Sequence, residues 1–480
     1  ERSFQFPPKK MVFHILPHRS SQQGIINQYF ASVAASLAFT IVGSSVAWPS
    51  PTLIKMKKGE TPITLDITEI SWMVSLMFLG HMISPIPTSR LMDKIGKKHT
   101  CLFLSIFPIA SWILIYYGES PAYLYVARFF AGMWSGIIST VVPLYIGEIA
   151  EPNIRGSLTS LNNVLINLGL LFTFVVGPYV TYHMIAIICG INVVLYVFIF
   201  IWVPESPYFY ILTGKRQKAL QSLQWLRMGN ENIEDELLTI EKSLKSQTVE
   251  KGSIKEIFMH TGNRKAFTIA AGYSVLKKLA GARILHAYAS TTLPGQTFGL
   301  TPDECLIILG ILNFVFSLSA VYFTAKFNRR TLLNISCFGC GTVLYTVSIW
   351  FYISSHFQTN DERYNFIVFI SFAIFSIIFS IGIGPVGTSI KGEMFSANVK
   401  ALSSSLTTVL VAIATFLINK FYLIIANSIG MYFNYFIYGS CCFFSIWFTL
   451  FYVPDLQGKT LQEIQDILNK NPLHKNSYNV

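Results

Sequence analysis

The chain has 480 residues, of which 52% are hydrophobic and only 12% charged, and its formal net charge is +12. A soluble chain averages about 25% charged residues, so this density leaves too little polar surface to cover a soluble globule. The apolar residues also run on for roughly 20 positions at a time, the length that crosses a bilayer core. Together these features exclude a soluble protein and make the lipid bilayer an expected partner. The cationic excess then belongs to loops retained in the cytoplasm, and nucleic acid is not expected as a partner.

The first 25 residues are mixed and polar, without a charged stretch leading into an apolar core. No cleavable signal peptide is read there, and the first span is expected to act as the insertion signal. The sequence opens at Glu1, with Met11 as an alternative start. Apolar spans follow at about 26–49, 70–90, 99–117, 122–147, 157–177 and 184–203. A polar stretch over 204–263, with helical periodicity from Glu231 to Leu244, reads as a linker. Six more spans fall at about 264–289, 303–325, 331–353, 364–390, 401–425 and 431–453. The expected fold is an all-α membrane protein with twelve transmembrane helices in two six-helix bundles, 26–203 and 264–453, with tails at 1–25 and 454–480.

Orientation follows from the Lys/Arg bias. With both termini cytoplasmic, about 27 of the 36 Lys and Arg lie on the inner side. About four, Lys55, Lys57, Lys58 and Arg363, lie outside. The loop after the second span, Asp93-Lys94-Ile95-Gly96-Lys97-Lys98, has a counterpart after the eighth, Ala325 to Arg330. Each puts a turn and paired cations at the same place in its half, the mark of an internal duplication. The seven cysteines fall almost wholly in apolar segments and suggest no disulfide framework. Cys337 and Cys340 form a C-x-x-C with no acidic or His partner, so packing is expected there rather than metal or redox chemistry.

Five motifs in order carry a resemblance. They are the Asp93 to Lys98 loop; Arg128-Phe129 with Gly132, Gly136, Pro143 to Glu148 and Arg155-Gly156; Pro204-Glu205-Ser206-Pro207; Gly382 to Pro385 with Glu393; and Pro454 to Thr460. Their order and spacing resemble the sugar-porter family of the major facilitator superfamily, from about residue 28 to 468. Trp48-Pro49-Ser50-Pro51 resembles the insect branch, the facilitated trehalose transporter-like proteins. The resemblance implies an inner gate formed by Asp93, Arg128, Glu148, Arg155, Glu205, Arg329, Arg330 and Glu393. Arg155 with Glu393 or Glu205, and Glu148 with Arg329 or Arg330, are the expected pairs across the halves when the cavity opens outward. Gly132 and Gly136 present a small face for close helix approach. Gly382, Gly384, Pro385 and Gly387 interrupt the tenth span, where backbone lines a cavity or simply kinks.

By the same resemblance, the solute site falls on Asn163 in the fifth span, Lys277, Lys278 and Arg283 in the seventh, Asn313 in the eighth, and Ser380 and Thr388 in the tenth. The family's Gln-Gln and Asn in the seventh span are replaced here by the three cations. Its Trp in the tenth span is replaced by Thr388, and its Asn-Trp in the eleventh by Val411-Ala412. Cations in a span cost at least about 2.5 kcal/mol each at a helix centre. Two readings of them are open. Gly281 loosens the helix so that Lys278 and Arg283 both reach the cavity, or the span starts late and Lys277 and Lys278 snorkel to the cytoplasmic side. His286 alone is read as a hydrogen-bonded span histidine. No Asp or Glu falls inside a span, which points to facilitated diffusion rather than proton symport.

Three functions stand at this point. The first is a facilitative carrier of a sugar or polyol in the plasma membrane. The second is a carrier of a small organic anion countered by Lys277, Lys278 and Arg283. The third is a transport-inactive sensor-like relative. No metal cluster, nucleophile triad or phosphate loop is legible, so neither an enzyme nor a cofactor is expected. The sequence carries no signal for an oligomeric state.

Overall fold

The computed structural model describes residues 22–228, 232–247, 254–293, 297, 299–326, 328–357, 366–384 and 400–453. Nine stretches among them are long and apolar enough to cross a membrane, and the pair Ile67–Ile83 and Pro85–Ile95, bent by 45°, makes a tenth. Two segments complete the twelve. The seventh span is the broken pair Thr261–Leu279 and Ala282–Thr292, whose cations reduce its hydropathy. The tenth is Phe366–Ile381, which stops where the glycine-rich stretch begins. The other spans are Gln22–Lys57, Lys97–Tyr117, Pro121–Ile149, Pro152–Tyr179 and Tyr182–Ile201 in the first half. In the second half they are Pro302–Lys326, Arg329–Phe357, Lys400–Ser428 and Met431–Tyr452. Short helices at Pro207–Leu212, Arg216–Leu226, Ile233–Gln247 and Ile254–Met259 lie between the halves in the chain.

Local chemistry sets where the helices start and bend. Pro121 and Pro152 stand at the first position of the fourth and fifth spans, where a missing N–H leaves no bond unmade. The bend in the second span falls at Ser84-Pro85, because Pro85 cannot donate back into the helix. The second span opens on a capping box, in which Asp66 accepts from the Glu69 amide and Glu69 from the Asp66 amide. The eighth opens on the same device, Thr301 with Glu304.

The recurrence extends to packing. Within the first half, span one packs on five, two on four, three on four and three on six. In the second, seven packs on eleven, eight on ten, nine on ten and nine on twelve, the same scheme six spans later. Glycines make the closest of these approaches. A Cβ on Gly132 would stand 1.8 Å from the Met77 carbonyl oxygen, and one on Gly80 2.2 Å from that of Phe129. Spans two and four are therefore in backbone contact, the small-residue packing that membrane helices use in place of a hydrophobic driving force. Phe103, Phe198 and Phe338 are more than three-fifths exposed and face outward, where lipid covers them.

The linker helices mark one face of the molecule. Asn27 donates to the Trp225 carbonyl at 2.7 Å, which holds the start of the first span there. The last described residue, Val453, packs with Ala266 and Leu333 on the same face. We call this the linker face and the opposite one the far face. Gly132→Leu is expected to lower the thermal unfolding temperature of the detergent-solubilised protein, since overpacking costs about 1–3 kcal/mol or more. Gly147→Ala, where a Cβ meets nothing within 4 Å, is expected to leave it unchanged.

Candidate functional site

A cavity with about 390 Å³ of empty space opens between spans five, seven, eight and ten. Phe174 is the one lining residue from the first half, and Phe372, Phe375 and Phe379 form an aromatic wall on the tenth span. The polar lining is His286, Asn313 and Ser376, with no carboxylate among them. Asn313 donates to Ser376 Oγ and accepts from Ser380 Oγ, each at 3.3 Å, so three neutral polar groups converge.

Both helices beside the cavity are broken. Gly281 sits at φ +82°, and a Cβ there would meet the Tyr438 ring at 2.8 Å, so only glycine fits both the conformation and the space. The tenth span ends at Ile381, where the Ile383 amide turns to Ser336 Oγ at 3.2 Å. Lys277, one turn before the first break, donates its ammonium to the Gly384 carbonyl beyond the second. It thus satisfies a carbonyl that the end of the helix has released. Arg283, just past the first break, is half-buried and makes no hydrogen bond or ion pair among the described residues. It stands within electrostatic reach of Lys277 and His286.

The two halves meet toward the far face. The second span packs on the eleventh, the fifth on the eighth, and Pro49–Lys57 of the first on Ala282–Thr292 of the seventh. At the first seam the Lys420 ammonium stands 3.9 Å from the centre of the Trp72 ring, and the Ser71 hydroxyl donates to the Lys420 carbonyl. Lys420 Nζ has no hydrogen-bond partner among the described residues; the indole face holds it, and the Asp66 carboxylate is near enough to attract it.

On the linker face the charges turn inward on their own halves. Glu205, 2% exposed, accepts from the Lys97 and Lys98 amides at 3.1 and 2.9 Å, capping the start of the third span. Gly96 allows this with φ +95°, and a Cβ there would stand 2.3 Å from the Glu205 carboxylate. Lys97 pairs with Glu148 at 2.8 Å. Lys98 donates to the Ile201 carbonyl at the end of span six, and Arg330 to the Leu450 carbonyl at the end of span twelve. The two basic loops therefore do the same work in each half, placing a cation on a helix C-terminus.

Asn313, Ser380, Lys277 and Arg283 surround the cavity or its two breaks. Lys278 is half-buried beside them. Asn163 is half-buried on the fifth span and does not line the cavity. Thr388 and Glu393 lie outside the described residues, as does the side chain of Arg329. Arg155 and Asp93 are exposed, and Arg155 donates to its own half's Ala150 carbonyl at 3.2 Å. Arg128 stands away from the linker face. It is buried in the first half, where it donates to the Met73 and Ser45 carbonyls at 3.2 and 2.5 Å and lies over the Trp48 ring. Sequence reasoning missed the phenylalanine wall, Phe372, Phe375 and Phe379, which traces one helix face with Ser376. It also missed the Trp72–Lys420 contact, which no local pattern announces.

The chain belongs to the sugar (and other) transporter family, which it matches over residues 12–468. It is 30% identical over 447 residues to a facilitated trehalose transporter, Tret1, of Polypedilum vanderplanki, covering 92% of this chain and 88% of that protein. It is also 30% identical to Tret1 of Aedes aegypti, of which it spans only 55%. Its fold is similar to the xylose transporter XylE from E. coli in a partially occluded inward open conformation, with TM-score 0.76 and 20% identity over 91% of this chain and 100% of that one. It is similar also to the proton:xylose symporter XylE bound to 6-bromo-6-deoxy-D-glucose, with TM-score 0.74 and 20% identity over 93% of this chain and 100% of that one. The fold is that of the major facilitator superfamily, an integral membrane carrier architecture.

The Trp72–Lys420 contact generates a prediction. A cation–π contact is worth about 0.5–2 kcal/mol, so Trp72→Ala is expected to shift the population open at the far face by roughly 2- to 30-fold. The check is the labelling rate of an Ala282→Cys probe by a membrane-impermeant thiol reagent applied to that face. It should rise in the Trp72→Ala background, and an unchanged rate would count against the seam.

Proposed function

We propose that this protein is a facilitative carrier of a hexose, a trehalose-like sugar or a polyol, acting by alternating access in the plasma membrane. One observation carries the reading: a cavity lined by the seventh, eighth and tenth spans and closed by Phe174 of the first half sits beside breaks in the seventh and tenth spans. Broken helices at such a site supply backbone groups to a solute and hinges to the motion. The family and the facilitated trehalose transporters among the relatives support the sugar class. Asn313, Ser376 and Ser380 offer neutral donors and acceptors for hydroxyls, and the phenylalanine wall offers a face for the C–H side of a sugar ring.

In this reading the halves are residues 26–203 and 264–453, and 204–263 is a cytoplasmic linker, with both tails on the same side. The far face is then extracellular, and the conformation is one closed to the outside. Rocking about the seams between spans two and eleven and between five and eight exchanges the closed face. The absence of Asp and Glu from the span interiors favours diffusion down a gradient over proton coupling.

The test is uptake by the purified protein in liposomes, with labelled glucose, trehalose, an inositol and glucuronate compared. The expected result is saturable uptake of at least one of them, accelerated by the same solute trapped inside. Asn313→Ala should lower that uptake by about tenfold, the value of one well-made hydrogen bond to solute. Uptake no greater than in empty liposomes for all four would contradict the reading.

A further inference from the structure

We propose that the preferred solute carries an oxyanion, as a monosaccharide carboxylate or phosphate does, and that Arg283 is the residue that receives it. The inference rests on the carrier reading above and names the class of sugar. Three interior cations of the spans have an acceptor in place. Arg128 has the Ser45 and Met73 carbonyls and the Trp48 ring. Lys277 has the Gly384 carbonyl, and Lys420 has the Trp72 ring. Arg283 has none among the described residues.

Its placement says where an acceptor would come from. Ala282, Ile284 and Leu285 on either side of it are 7%, 1% and 9% exposed, so this turn lies inside the protein. Arg283 nevertheless keeps part of its side chain solvent-exposed. Ala282, Leu285 and His286 of the same turn line the cavity, and Arg283 stands beside them without lining it in this conformation. Lys277 and Arg283 stand beside that cavity, and among the described residues no carboxylate lines it. A neutral sugar would leave this charge unanswered. A solute oxyanion would answer it, since a guanidinium presents paired donors in the geometry that carboxylate and phosphate accept. Asn313 and Ser376 line the cavity, with Ser380 bonded to Asn313, and are placed to take the hydroxyls of the same molecule.

The experiment compares glucose with glucuronate and glucose 6-phosphate, which differ from it at one carbon, in liposomes containing the full chain. The expected result is uptake of one of the two anionic sugars about tenfold or more above that of glucose, the value of a charge-assisted bond. The arm that responds identifies carboxylate or phosphate. Arg283→Asn should reverse the preference, lowering anionic uptake and raising that of glucose, while Arg283→Lys should retain most of the anionic preference. The wild-type ratio does not depend on the folding of any variant. Glucose uptake equal to or above both anionic sugars would overturn the inference and leave the carrier reading intact. Uptake of none of the three, nor of trehalose or an inositol, would overturn both.

Discussion

A cation inside a membrane span must be given an acceptor, because water is not there to supply one. This constraint organises the chain more than any other. The cost of about 2.5–3.5 kcal/mol per charge at a helix centre is met for Arg128 and Lys277 by backbone carbonyls and for Lys420 by an aromatic face. Arg128 binds carbonyls of spans one and two from its place on span four, so one side chain ties three helices together. Lys277 joins the two helix breaks beside the cavity by donating from the seventh span to the tenth. Lys420 rests on Trp72 and so joins the two halves. Each bond is made to a group that cannot change its charge, and each holds a different level of the architecture: a bundle, a site, and a seam between bundles.

The twofold repetition gives these contacts a frame that can move. Capping boxes open spans two and eight, and a cation reaches the last carbonyls of spans six and twelve. Backbone contact at Gly132 and Gly80 makes each bundle stiff, since packed small-residue interfaces cannot slide without breaking many contacts at once. The seams between bundles are built differently, from a cation on an indole, a hydroxyl on a carbonyl, and the Gly310 approach to Phe174 and Leu171. Rigid halves that meet along a few helix pairs are what a rocking motion requires.

Much of this was legible in the sequence, for reasons that differ by residue. Run length alone displayed the spans, because a bilayer of fixed thickness demands it. Gly281 beside the cations, and Gly382 with Gly384 and Pro385, announced breaks, because each cluster interrupts an apolar run. Asn313 and Ser380 came through the family resemblance, and the structure brings them into one hydrogen-bonded group. What stayed hidden involved backbone or distant partners. Arg128 was read with the gate, yet its acceptors are main-chain oxygens that no motif records. Glu148 and Glu205 were expected to pair across the halves when the far face opens; in the conformation closed there they are held by Lys97 and by the amides at the start of span three. The phenylalanine wall reads from sequence as ordinary lipid-facing apolar residues until span ten is set against spans five and eight.

The central claim is that Arg128, Lys277 and Lys420 are held by carbonyls and aromatic rings, so that transport moves no proton. The most direct test is the external pH of a weakly buffered liposome suspension during uptake of a transported solute, with no imposed proton gradient. The account predicts uptake with no accompanying pH change beyond that of empty liposomes. A change in step with uptake would show that Lys277 or His286 exchanges a proton as the cavity opens and closes, and would contradict it.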